Sequence, residues 1–279
     1  MTVPTGIPKG LYPFEGRVFD LDGLRYHYLD EGKGESVVAV HGNPTWSFYY
    51  RNLVTALRDD FRVVVPDHIG CGLSDKPGDD DYSYTLQRRI DDLTRLLDHL
   101  GGEQVNLVVH DWGGMIGMAW AVRHPERIKR LVILNTAAFH LPKTKAFPWQ
   151  LGLVRNTPVG SFLVRGCNAF SRGAATLACT RKKLSKEIRD AYCAPYGSWS
   201  DRIATLRFVQ DIPLKPGDSG YEIVTDTAAR LDVFRDTPVL ICWGEKDFVF
   251  DNHFLEEWLE MYPNAEVHRF PDCGHYILE

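Results

Sequence analysis

The chain has 279 residues, of which 44% are hydrophobic and 25% are charged. This length and composition are typical of a globular protein with one large core or two modest ones. The net charge of −5 comes from interspersed acidic and basic residues, which argues against a broad electrostatic surface for nucleic acid or anionic lipid. The amino end lacks an apolar run long enough for a signal peptide or a membrane span, so we expect a cytoplasmic protein.

The six cysteines are scattered along the chain, without a Cys-x-x-Cys pair or zinc-finger spacing. Neither a disulfide framework nor a metal site is indicated, and free thiols are expected. No motif in the chain indicates a cofactor.

Short β-branched runs alternate with helix-period segments in the first half of the chain. Strands are predicted at 36–40, 61–66, 105–110 and 130–135. The segment 82–101 predicts a helix, because Leu86, Ile90, Leu93 and Leu97 share one face and Gly101 supplies the stop. Such alternation predicts an α/β fold, with a mostly parallel sheet covered by helices on both faces.

The pattern changes between 138 and 228 to helices interrupted by prolines, with several aromatic and basic residues. We interpret this segment as a helical cap over the carboxyl ends of the strands, where open parallel sheets bind ligands. A helical excursion with no part in the chemistry is the alternative. A strand pattern returns at 238–247, and 265–275 indicates one more strand that runs into a loop, so the sheet domain is predicted to comprise 1–137 and 229–279.

The stretch LVVHDWGGMIG, residues 107–117, indicates a strand, a sharp turn and a helix, with Asp111 at the turn. This is the setting of a nucleophile elbow, in which small neighbours permit a strained turn. A carboxylate there is ionised at neutral pH and can attack a saturated carbon, leaving an alkyl ester on the enzyme. Alternatively, Asp111 only caps the following helix.

Two further residues are candidates for stabilising an anionic leaving group. Asn43 lies in the loop after the strand 36–40, and the indole N–H of Trp112 is next to Asp111. Loss of one such donor typically costs about 10² to 10³ in rate. As alternatives, Asn43 is a turn residue and Trp112 belongs to the core.

His275 lies in a glycine-containing loop after the last predicted strand and is the candidate general base. Asp247 is its preferred acidic partner, because the chain order nucleophile, acid, base is that of α/β-hydrolases. The other possible acid position, just after the apolar run 130–134, holds Asn135, which cannot carry charge.

Some polar residues near these motifs are interpreted as structural. Glu245 and Asp251 are weaker rivals of Asp247, expected to be solvated or to cap a helix. His41 and His110 end apolar strands and are expected to be hydrogen-bonded structural histidines.

Five motifs spread over nearly the whole chain resemble the haloalkane dehalogenase branch of the α/β-hydrolase fold. They are HGNPTWSFYYR (41–51), PDHIGCGLSDKP (66–77), HDWGG (110–114), WGEKDFVF (243–250) and DCGHYILE (272–279). More narrowly, PDHIGCGLSDKP, TLRFVQDIPLKPGD (205–218) and FVFDNHFLEEW (248–258) resemble the β-lactone decarboxylases of bacterial long-chain olefin biosynthesis.

This resemblance implies the same five site residues that the motifs indicate: Asp111 as nucleophile, His275 as base, Asp247 as its partner, and Asn43 with Trp112 as the anion-stabilising pair. It also implies a small hydrophobic substrate, and assembly or fusion with the enzyme that makes the lactone. Apolar cap residues are candidates for the substrate pocket, although they could equally form the cap core: Phe139, Phe147, Trp149 and Phe170.

The sequence stops at Glu279, four residues after His275, where relatives continue into a final helix. If that helix is absent, the core loses an amphipathic cover, and we expect lowered stability or aggregation.

Three functions compete with β-lactone decarboxylation. A haloalkane dehalogenase would use nearly the same residues, and an epoxide hydrolase would need paired cap tyrosines, for which Tyr192, Tyr196 and Tyr221 are available. A non-catalytic receptor or scaffold would be free to lose the histidine or the acid, yet every required position is filled.

Overall fold

A computed structural model describes residues 7–102 and 104–279 of the chain. Its strands are β1 (Arg17–Leu21), β2 (Leu24–Glu31), β3 (Glu35–Val40), β4 (Phe61–Pro66), β5 (Val105–Asp111), β6 (Ile128–Thr136), β7 (Val239–Gly244) and β8 (Glu266–Phe270). Its α-helices are α1 (Arg51–Leu57), α2 (Leu86–Leu100), α3 (Trp112–Ala121), α4 (Trp149–Asn156), α5 (Pro158–Cys167), α6 (Ala169–Leu177), α7 (Lys186–Cys193), α8 (Ile203–Gln210), α9 (Tyr221–Ala229) and α10 (Asn252–Met261).

The eight strands form one sheet in the order β1-β2-β4-β3-β5-β6-β7-β8. Strand β2 is antiparallel to both of its neighbours, and β3 to β8 are parallel to one another. The predicted strands correspond to β3 to β8, so the prediction of a mostly parallel sheet is confirmed.

The hairpin β1–β2 was not predicted. Its two-residue turn consists of Asp22 and Gly23, which have positive φ angles of 56° and 86°, and Leu21 pairs with Leu24. Asp-Gly between two strand-like runs is a strong local signal for such a turn. The signal was therefore present in the sequence.

The central strands bury side chains on both faces of the sheet. Val38 and Val40 on β3 pack in the cluster that contains residues of α2, α3 and α10. Val37 and Ala39 point to the other face and pack with residues of α1, α6 and α7. Because side chains alternate along a strand, continuous apolar runs suit a sheet that helices cover on both sides.

Helix α2 has the predicted apolar face but begins later than the periodic segment suggested. Thr85 is its N-cap and accepts a hydrogen bond from the backbone N–H of Arg88, and Gly101 follows its last residue with a φ of 65°. The cap thus starts the helix at Leu86, and the residues before it form a loop.

Strand register brings the carboxyl ends of the central strands to one edge of the sheet. Val40 on β3 pairs with Val109 on β5, Val109 with Ile133 on β6, and Ile133 with Ile241 on β7. The residues that follow these positions therefore leave the sheet at the same edge. Helices α4 to α9 occupy 149–229, so the last of them ends one residue beyond the predicted cap.

No helix in residues 7–102 and 104–279 is both long and apolar enough to cross a lipid bilayer.

Two glycines in helices have opposite surroundings, which allows a matched stability test. A Cβ on Gly113 in α3 would lie 2.0 Å from the backbone oxygen of Val40, whereas a Cβ on Gly173 in α6 would have no heavy atom within 4 Å. We expect Gly113→Ala to lower the free energy of unfolding by about 2 to 4 kcal/mol, because backbone atoms would have to move. Gly173→Ala should raise it by up to about 1 kcal/mol through helix propensity.

The measurement is unfolding in urea, with both variants compared with the parent chain. Equal changes in the two variants would contradict the close packing of α3 on β3.

Candidate active site

Asp111 lies at the junction of β5 and α3 in a strained conformation, with φ 53° and ψ −128°. Such a conformation typically costs a residue other than glycine about 1 to 3 kcal/mol. Its side chain makes no capping hydrogen bond to α3, so the alternative of a helix cap is not supported. The hydroxyl of Thr136 on β6 donates to the backbone oxygen of Asp111, which helps to hold the turn.

The loop after β3 lies directly against the Asp111 carboxylate. A Cβ on Gly42 would lie 1.9 Å from Asp111 Oδ1, so only glycine fits there without displacement of the carboxylate. The backbone N–H of Asn43 donates to the same oxygen at 2.6 Å. This contact fixes one carboxylate oxygen and leaves Oδ2 on the other side.

The two predicted anion-stabilising residues both lie beside Asp111. Asn43 Nδ2 donates to the backbone oxygen of Thr205 on α8 at 3.1 Å, and an amide nitrogen has a second hydrogen to donate. The Trp112 ring packs against Phe208, with ring centroids 5.2 Å apart. Both side chains line the same cavity as Asp111, where their donors can reach a bound molecule.

His275 lies between two buried carboxylates. Its Nε2 is 3.5 Å from Asp111 Oδ2, and its Nδ1 is 2.7 Å from Asp247 Oδ2. All three residues are buried. The structure therefore brings together the three side chains that the sequence placed after β5, after β7 and after β8.

Asp247 is held by a hydrogen bond from the backbone N–H of Val249 to its Oδ1, at 2.8 Å. Asn135, at the other possible acid position, binds the backbone of Gly244. Its Nδ2 donates to the backbone oxygen of Gly244 at 3.0 Å, and its Oδ1 accepts from the N–H of Gly244 at 2.8 Å. Asn135 thus clamps the end of β7 that leads to Asp247, a role that sequence reasoning missed.

Glu245 and Asp251, the two weaker candidates for the acidic partner of His275, contact other groups. Glu245 forms an ion pair with Arg269 at 3.3 Å. Asp251 is the N-cap of α10 and accepts from the backbone N–H of His253. Neither contacts His275 in the hydrogen bonds of the described residues.

His110 supports His275 through the backbone. Its Nε2–H donates to the backbone oxygen of His275 at 2.8 Å. Burial, followed by the positive charge of His275, lowers the pKa of His110 to about 3, so the ring is neutral. The sequence interpretation of a hydrogen-bonded structural histidine agrees with this geometry, but the partner was not predicted.

His41 is also a buried, neutral histidine. It accepts at Nε2 from the backbone N–H of His68, at 3.1 Å, and its Nδ1–H donates to the backbone oxygen of Gly42, at 2.7 Å. Burial lowers its pKa. Its contacts hold the loop that reaches Asp111.

The charges of the site are strongly coupled. Burial is the largest single effect on His275 and lowers its pKa, but Asp247 and Asp111 together outweigh it and raise the pKa to about 10. Burial raises the pKa of Asp111, and the opposing contacts with His275, His110 and Asn43 bring it below its ordinary value. At neutral pH Asp111 is therefore a carboxylate, and His275, which contacts Asp247, is an imidazolium. His275 can act as a base only once the charge of Asp111 is removed, as in an ester.

A cavity of about 580 Å³ lies above Asp111, between the edge of the sheet and the cap helices. Its walls are mostly aliphatic and aromatic, with Asp111, Asn43 and His275 among the few polar residues. This size and lining are typical of small-molecule sites. The four predicted pocket residues all line it: Phe139, Phe147, Trp149 and Phe170.

The family model of the α/β hydrolase fold matches residues 35–279. The chain belongs to the α/β-hydrolase family. The α/β-hydrolase fold expected from the motifs is therefore confirmed.

Within this family, the chain is similar to proteins of two activities. It is 62% identical over 270 residues to a cis-3-alkyl-4-alkyloxetan-2-one decarboxylase of Shewanella oneidensis. The matched region covers 96% of this chain and 85% of that protein. A protein of the same name from Xanthomonas campestris is 49% identical over 277 residues, covering 96% and 92%. Haloalkane dehalogenase 2 of Mycobacterium tuberculosis is 32% identical over 271 residues, covering 96% and 91%.

Solved structures of α/β-hydrolases show the same fold. A haloalkane dehalogenase of Agrobacterium tumefaciens superposes with a TM-score of 0.84 at 24% identity, covering 94% of this chain and 90% of that one. At this identity the likeness concerns the fold alone.

The raised pKa of His275 leads to a pH dependence of stability. His275 binds a proton more tightly in the folded protein, with a pKa of about 10, than in the unfolded chain, where the ordinary value is 6.5. Its contribution to the free energy of unfolding is therefore complete below pH 6.5 and falls as the pH rises to about 10. We expect His275→Gln to destabilise the α/β-hydrolase most below pH 6.5, and progressively less toward pH 10.

Urea unfolding of both proteins across this pH range measures the difference. If the difference between them stayed constant, His275 would not be the buried cation.

Proposed function

We propose that this chain converts cis-3,4-dialkyl β-lactones into cis-alkenes and CO₂. The observation that carries the proposal is the ionised, buried carboxylate of Asp111 facing an apolar cavity of about 580 Å³, with His275 beside it. The relatives at 62% and 49% identity, both named as decarboxylases, support a lactone as the substrate.

The first step is a displacement at the saturated ring carbon C4. An oxygen of Asp111 forms a bond to C4 while the ring bond between C4 and oxygen breaks, and the electron pair of that bond goes to the released carboxylate. Asn43 and Trp112, which line the cavity next to Asp111, are the donors placed to stabilise the developing negative charge.

The second step is the loss of CO₂. The bond between C3 and the carboxylate carbon breaks, its electrons form the double bond between C3 and C4, and the ester oxygen of Asp111 departs as a carboxylate. Because displacement places the entering oxygen opposite the leaving one, elimination without rotation about C3–C4 keeps both alkyl groups on the same side. Water is not consumed, and Asp111 is regenerated.

His275 enters this reaction as a cation. With a pKa of about 10, it is protonated when the substrate arrives. Neither step takes a proton from it, so it pairs again with Asp111 when that residue departs as a carboxylate in the second step. Asp247 keeps the ring oriented through Nδ1.

The direct test incubates the purified protein with a synthetic cis-3,4-dialkyl β-lactone and measures alkene and CO₂. We expect Asp111→Ala to lower the turnover rate by at least about 10³-fold, because the nucleophile is lost. Asp80→Ala is the matched control, since Asp80 is an exposed loop residue and is not among the residues that line the cavity. A parent protein that folds but produces no alkene would overturn the proposal.

Turnover in heavy-oxygen water separates the proposal from the second candidate, haloalkane hydrolysis, which the relatives at 32% identity favour. In the lactone reaction the Asp111 carboxylate should stay unlabelled, since the ester is broken by elimination. Hydrolysis of an alkyl ester would instead place one water-derived oxygen in Asp111, and mass spectrometry of the peptide containing Asp111 detects it. Label in Asp111 after lactone turnover would contradict the elimination step, and faster halide release from a bromoalkane would favour the dehalogenase.

The geometry does not favour an epoxide hydrolase. The three tyrosines that were candidates for ring opening are absent from the cavity lining of the described residues. Tyr192 donates to Glu279, Tyr196 contacts the backbone oxygen of Thr45, and Tyr221 stacks on His140.

We also propose a cytoplasmic location. All six cysteines are free, which is usual for a protein of a reducing compartment. Assembly with the enzyme that makes the lactone stays a prediction from the resemblance.

A further inference from the structure

The charges of the chain are distributed unevenly. Residues 138–186 contain nine Lys and Arg and no Asp or Glu, whereas the whole chain has a net charge of −5. The rest of the chain therefore has a net charge of −14. The whole-chain average, which argued against an anionic lipid surface, conceals this contrast.

Residues 138–186, the basic segment, comprise helices α4 to α6 and the loop that leads to α7. Several of these residues line the cavity. Four of its basic side chains are exposed and have no carboxylate within 4 Å in the part of the chain that the structure describes. They are Lys143, Arg172, Lys182 and Lys183.

The segment also contains basic side chains that are neutralised. Three of them form ion pairs with acidic residues from outside the segment: Lys145 with Asp251, Arg155 with Asp218 and Arg181 with Asp272. Lys186 pairs with Asp190 on α7. An excess of positive charge remains around Lys182 and Lys183.

The same segment also exposes apolar side chains. Trp149 is 73% exposed, Phe162 is 59% exposed and Leu177 is 66% exposed, on α4, α5 and α6 respectively. Trp149 and Leu177 also line the cavity, as does the exposed Phe248 after β7. Residues that both line the cavity and meet solvent mark its mouth. We call residues 138–186 together with Phe248 the cap face.

We propose that the cap face docks on an anionic lipid surface, so that the mouth of the cavity opens toward the bilayer. Lys and Arg side chains together with exposed Trp, Phe and Leu are the combination that binds at a lipid headgroup boundary. The charge of the cap face is complementary to that surface, and its apolar residues suit the boundary of the acyl chains. The docking surface is argued from charge and exposure alone, but its purpose rests on the proposed function. Lactones and alkenes with two alkyl chains partition into lipid, so docking would give the cavity access to them there.

The test measures binding of the full chain to sedimented vesicles without any substrate. We expect binding to phosphatidylglycerol vesicles to be at least about tenfold stronger than to phosphatidylcholine vesicles, and to weaken as salt screens the charges. Equal binding to both lipids, or none to phosphatidylglycerol, would overturn the proposal.

Matched variants locate the docking surface. K182E/K183E should weaken binding to phosphatidylglycerol by at least about tenfold, whereas K9E/K33E, which reverses two exposed lysines outside the cap face, should change it by less than about twofold. Phe162→Ser should also weaken binding, with Val233→Ser as the control, because Val233 is 51% exposed but lies outside the cap face. Equal losses in test and control variants would contradict docking through this face.

Two further results distinguish lipid docking from binding to an acidic protein and from the proposed function. Binding to polyglutamate but not to anionic vesicles would overturn the lipid assignment and favour an acidic protein partner. Vesicle binding by a protein that fails to turn over lactone would uphold the docking surface and reject the proposed function. Turnover of a short-chain, water-soluble lactone should be unchanged in K182E/K183E, which shows that the variant is folded and active.

Discussion

The site depends on one imidazolium held between two buried carboxylates. Asp111, Asp247 and His275 come from the ends of β5, β7 and β8, so this arrangement exists only because parallel register brings those ends to one edge. Buried charges are costly unless they are paired. Each of the three therefore requires the others, and the loops that carry them have little freedom to move independently.

Packing behind the site offsets the strain at its front. Asp111 has a positive φ, yet the helix that follows it, α3, is buried on almost every side and lies so close to β3 that Gly113 leaves no room for a side chain. The contacts of the whole core thus hold a backbone conformation that an isolated peptide would leave. Asn135 has a similar effect at the end of β7, where it restrains the segment before Asp247.

Local patterns revealed the strands β3 to β8 and the positions of Asp111, Asp247 and His275, because β-branched runs mark buried strands and site residues follow their ends. The hairpin β1–β2 was missed although its Asp-Gly turn is a local signal. The contact of His110 with the backbone of His275 could not be read from the sequence, since it depends on the three-dimensional approach of distant segments. The charge of His275 was unpredictable for the same reason, as it is set by its distances from two carboxylates.

The apolar wall of the cavity has a consequence for rate as well as for affinity. A carboxylate that is about to lose CO₂ has its charge localised on two oxygens, and water solvates this localised charge better than the dispersed charge that develops as the carbon–carbon bond stretches. In the proposed reaction, a cavity whose walls supply few hydrogen bonds withdraws that solvation from the carboxylate of the opened lactone. The apolar lining proposed to accommodate the alkyl chains would thereby also shorten the lifetime of that carboxylate.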